Sequence, residues 1–64
     1  MIRTLAPGSS GMVFFRESIT AGAVMGLDTV PSGMQLTVDG RAATPDTPVG
    51  PESTVALQPR IDNG

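Results

Sequence analysis

From Met34 the chain alternates: Met34, Leu36 and Val38 point one way while Gln35 and Thr37 point the other, the period-two pattern of a strand with one wet face. Asp39-Gly40 follows, a pair suited to a two-residue turn that needs positive φ, and it predicts a return through Arg41-Ala42-Ala43. Thr54 to Gln58 reads as a further strand, with Val55 and Leu57 inward and Pro59 ending it. Between them, Thr44 to Ser53 carries Pro45, Pro48 and Pro51. Such a segment cannot be an interior strand and is expected to cross the surface as a loop.

The first half is less regular. Ile2 to Leu5 is a short β-type run, Ala6 to Gly11 ("APGSSG") a connector, and Met12-Val13-Phe14-Phe15 a second strand, which together predict an N-terminal hairpin. Thr20 is placed to cap a helix. Ile19 before it can pack on Val24, and Leu27 extends that apolar side by a turn. Gly22 and Gly26 each weaken a helix by about 1 kcal/mol relative to alanine, so the helix should be short. Val30-Pro31-Ser32-Gly33 turns the chain out of it. The sum is an α+β pattern: one β-rich domain over 1–64 with a single short helix.

Sixty-four residues lie near the lower limit for a self-sufficient core, and there is neither Cys for disulfides nor His for the usual metal staples. With Phe14 and Phe15 the only aromatics, a Val, Leu, Ile and Met core would supply about 3–5 kcal/mol, which makes a partner subunit or self-association a natural expectation. The net charge is −2, and Arg3, Arg16, Arg41 and Arg60 are scattered singly rather than clustered for phosphates, so nucleic acid is set aside. Lysine is absent, which leaves no side-chain amine to accept an isopeptide bond. No apolar run approaches the length that spans a bilayer and Met1-Ile2-Arg3 does not open a signal peptide, so no membrane partner is expected and the cytoplasm is the default location.

Little here points to catalysis. Asp46 and Glu52 could be paired carboxylates, but His, Cys, Lys and Tyr are all missing and Ser9-Ser10 has no evident base; solvated loop charges are the better account. The chain is therefore read as no enzyme, with no metal and no cofactor. Met12, Met25 and Met34 are read first as gap-filling core and second as an adaptable recognition surface. Adjacent strand positions face opposite sides, so one of Phe14 and Phe15 is expected in the core and the other on a partner-binding surface.

"LTVDGRAATPDTPV" (Leu36 to Val49) and "STVALQPRIDNG" (Ser53 to Gly64) carry a resemblance to the ubiquitin-like β-grasp proteins, in particular the small sulfur carriers of thiamine and molybdopterin biosynthesis and their prokaryotic modifier relatives. The first half resembles them by element order alone. The resemblance implies a small β-grasp-like mixed sheet with one short helix and 60–64 as a flexible tail. It implies a carrier tail at Asn63 and Gly64, whose terminal carboxylate an activating enzyme would adenylate, and a sulfur-carrier or protein-modifier function. Two departures stand out: Asn63 replaces the penultimate glycine of the family tail, and Gly50-Pro51-Glu52 replaces its acidic Gly-Asp pair. The alternative reading is a small structural or interaction protein, such as an accessory or decoration subunit of a larger, for example viral, assembly, with assembly neighbours as partners and the virion as its location.

Overall fold

The structure, a computed structural model, describes residues 1–60. Strand β1 (Ile2–Ala6) turns through Pro7-Gly8 into β2 (Ser9–Val13). Proline presets the first turn position and Gly8 takes φ 74°, so two residues suffice to reverse the chain. The pairing runs from Ala6 opposite Ser9 to Ile2 opposite Val13. The expected six-residue connector is thus mostly strand. Ser9-Ser10-Gly11 gains ladder bonds by pairing, and β2 ends before Phe14 instead of containing it.

Helix α1 (Ala21–Met25) is as short as its glycines require. The Thr20 hydroxyl accepts the Ala23 N–H at 3.3 Å. At the other end Gly26 adopts φ 71°, in the left-handed region where a side chain is strained, and its N–H bonds the Gly22 carbonyl. Thr20→Ala should lower stability by about 1 kcal/mol, read as a drop in the urea midpoint at unchanged slope.

Strand β3 (Met34–Val38) and the two-residue β4 (Arg41–Ala42) flank Asp39-Gly40, with φ of 53° and 83°. Asp39 does more than turn the chain: its Oδ1 accepts the Thr54 N–H at 3.0 Å and its own N–H bonds the Thr54 carbonyl at 2.8 Å. Both bonds fix the start of β5 (Thr54–Pro59). β5 lies in the middle of one five-stranded sheet, in the order β2-β1-β5-β3-β4, parallel to β1 and antiparallel to β3. The domain is a small α+β unit, a mixed sheet with one short helix among the described residues.

The helix and loops cover one face only. The core comprises Ile2, Ile19, Ala21, Val24, Leu36, Val49 and Val55. Val49 belongs to the proline-rich segment, which does more than cross the surface. Its carbonyls at Thr47 and Pro45 accept the Ala21 and Gly22 amides at 2.8 and 2.9 Å, satisfying donors that a helix start leaves free, and Val49 bonds the Ile19 carbonyl at 3.2 Å. On the uncovered face the alternation holds with one exception. Thr37 is buried despite its outward position, sitting on a central strand between Ala42 and Ala56. Met25 packs against the core, whereas Met12 is exposed.

Candidate functional site

The candidate site is where β5 runs out. The strand is laddered to β3 as far as Pro59 opposite Met34, and the Arg60 N–H still bonds the Gly33 carbonyl at 2.8 Å. Gly33 can receive it because Pro31-Ser32-Gly33 forms a turn, closed by Met34 N–H to the Pro31 carbonyl at 3.0 Å, with Gly33 at φ 80°. Arg60, expected as the first residue of the tail, is therefore still tied to the sheet. Asn63 and Gly64, the residues assigned to the carrier tail, lie outside the described residues.

A shallow apolar groove flanks this end of β5, lined by Leu5, Ala6, Pro7, Leu57 and Pro59. Parallel pairing explains its position. Leu5 opposes Ala56, so the β1–β2 turn comes to rest beside the last residues of β5. Leu5 alternates with buried Ile2 and half-buried Thr4 on the core side and so stands on the bare face, 42% exposed. A leucine at an outward strand position is the signal in the sequence that could have marked this groove.

Phe14 and Phe15 are placed elsewhere, and neither enters the core: they are 77% and 39% exposed. The expected inward and outward split fails because β2 stops at Val13, so the two rings follow the strand instead of alternating across it. Val13 pairs with Ile2, beside the start of β5. The phenylalanines therefore sit at the opposite end of the sheet from Pro59, separated by the length of β5, about 17 Å. The structure does not bring the aromatic pair and the end of β5 together.

The remaining candidates are dispersed. Asp46 borders the start of α1 with Thr20 and Gly22, while Glu52 sits with Met1 and Arg3, its carboxylate 3.8 Å from the terminal ammonium and largely in solvent. Gly50-Pro51-Glu52 is a turn closed by Ser53, whose Oγ accepts the Gly50 N–H at 2.8 Å. Among the described residues no group of three His, Cys, Asp or Glu could hold a metal ion, and no helix is long and apolar enough to cross a membrane. No protein-family model, no curated protein and no solved structure matches the chain.

Proposed function

We propose that this protein is a β-grasp-like carrier or modifier that acts through the carboxylate of Gly64, with an activating enzyme as its partner. One observation carries the reading. The strand leading to the tail is the middle strand of the sheet, held by β1 over Thr54 to Ala56 and by β3 as far as Pro59, so the tail would project from backbone tied to the sheet up to its last residues. A small mixed sheet of five strands with one short helix is also compatible with the β-grasp resemblance.

In this reading Ile61 to Gly64 supply the reach from Arg60 to the reacting carboxylate, and four residues of chain span at most roughly 14 Å. The enzyme would have to come close to the sheet, where two surfaces flank the exit: the groove of Leu5, Pro7, Leu57 and Pro59, and a pocket of Val30, Met34, Leu36 and Ala43 that Arg60 itself lines. In the reaction a carboxylate oxygen attacks the α-phosphorus of ATP and pyrophosphate departs, leaving an acyl adenylate. A sulfur or amine nucleophile then attacks the carbonyl carbon and AMP leaves, a far better leaving group than the oxide of a free carboxylate. Gly64 presents no side chain to obstruct that carbonyl, and Asn63 is the residue most tolerant, after glycine, of left-handed backbone angles.

With a cognate activating enzyme, the protein should support ATP–pyrophosphate exchange, and deleting Gly64 should reduce it to background. Exchange unchanged by the deletion overturns the proposal, as does an intact mass of the native protein extending beyond Gly64. A second reading, an accessory subunit of a larger assembly, is favoured by Phe14 and Met12, exposed at the end of the sheet away from Pro59. It requires the chain to copurify with that assembly in fixed proportion.

A further inference from the structure

Strand β2 is one edge of the sheet, and the direction of its free backbone groups follows from a single bond. Arg3 donates its N–H to the Ser53 carbonyl at 3.0 Å, so the Arg3 backbone faces β5. Antiparallel neighbours alternate between pairs that exchange both hydrogen bonds and pairs whose groups point away from each other. Met12, opposite Arg3, therefore turns its N–H and C=O toward the open edge, and Ser10, opposite Leu5, does the same. No strand lies beyond them among the described residues.

Exposed edges are normally blunted by charge, proline, a bulge or extreme shortness. The other edge fits that rule, being the two-residue β4 with Arg41 on it. The β2 edge does not. Ser9 to Phe15 contains no charged residue and no proline, and the β1–β2 register runs without a skip from Ala6–Ser9 to Ile2–Val13.

We propose that a second copy of this chain occupies the edge, the two β2 strands pairing antiparallel about a two-fold axis at Gly11 into one sheet continuous across both copies. The register is self-complementary. Ser10 of each copy opposes Met12 of the other, so the outward groups of both exchange N–H···O bonds in both directions. Gly11 meets Gly11 at the non-bonded position, where Cα atoms approach to about 4.5 Å, and no side chains intervene there. The seam carries no charge to repel its copy. The same register brings Phe14, the most exposed large apolar side chain of the described residues, to the Pro7-Gly8 turn of the second copy.

Sedimentation of the full chain tests this. The contact is small, so a reversible monomer–dimer equilibrium is expected with a dissociation constant on the order of 10–100 µM. In Met12→Pro the lost N–H is one that faces outward, so no bond to β1 is sacrificed; dimerisation should weaken about tenfold or more while the far-ultraviolet circular dichroism stays unchanged. Met12→Lys, which places a charge on the edge without altering the backbone, should do the same and keeps the test valid should the proline variant fail to fold. A protein that remains monomeric to about 500 µM, or a dimer that folded forms of both variants leave intact, overturns the proposal. The readout is mass, so it is independent of whether Gly64 is ever activated.

Discussion

Gly22→Ala should leave much of the protein unfolded in the absence of denaturant. A Cβ at this position would lie 2.6 Å from the Leu27 carbonyl oxygen, 2.7 Å from Pro45 Cβ and 2.9 Å from the Pro45 carbonyl oxygen. None of the three is the tip of a flexible side chain. The proline-rich segment would have to retreat, and with it the Pro45 and Thr47 carbonyls that receive the Gly22 and Ala21 amides. Overpacking costs about 1–3 kcal/mol and a buried amide left without its acceptor about 1–3 kcal/mol more. Helix propensity works the other way, by about 1 kcal/mol. The net loss, about 1–5 kcal/mol, approaches the whole stability of a domain this size, about 3–5 kcal/mol. Urea titration followed by circular dichroism decides the matter by sign: propensity alone predicts a higher midpoint, and close packing of α1 on Pro45 predicts a lower one or no folded baseline.

Leu36→Ala should be comparably damaging for a different reason. With Ile2 and Val55, Leu36 is one of the largest fully buried side chains, and it sits on β3 opposite Leu57 of β5. Truncating a buried leucine costs about 2–5 kcal/mol, from lost burial together with the cavity left behind. No aromatic side chain is in the core to lean into the gap, since Phe14 and Phe15 are both exposed. Thermal melting should show a broad, early transition for Leu36→Ala. Leu36→Met, which conserves volume, should cost under about 1.5 kcal/mol and retain a cooperative melt. Equal melting of Leu36→Ala and the parent protein would contradict the burial of this residue.

The parts legible from sequence were those governed by local rules. Alternation placed Met34–Val38, and the positive φ demanded by Asp39-Gly40 placed the turn after it. Thr20 was readable as a cap because capping depends on one hydroxyl and one nearby amide. What escaped depended on contacts between distant segments. Pro7-Gly8 could close a hairpin as readily as begin a loop, and only pairing with Ile2–Ala6 decides that Ser9–Val13 is strand. Gly22 looked like a weakness in a helix because nothing local reveals that Pro45 rests against it. Val49 looked like a loop residue for the same reason. As for the site, Phe14 and Phe15 were visible as unusual residues, but their distance from the end of β5 follows from the parallel pairing of β1 with β5, which no alternation encodes. Asn63 and Gly64 were singled out through a resemblance, and they lie outside the described residues.

That parallel pairing has a consequence for how the polypeptide is made. Translation delivers β1 first of the described strands, yet its neighbour β5 is the last of them to be synthesised, and Arg3 meets Thr54 across nearly the full described length. Until then the nascent hairpin of β1 and β2 has one side open and Ile2 has no Val55 to pack with. Such distant closure is slow relative to helix or hairpin formation. Closure of the sheet is thus expected to wait until β5 has left the ribosome.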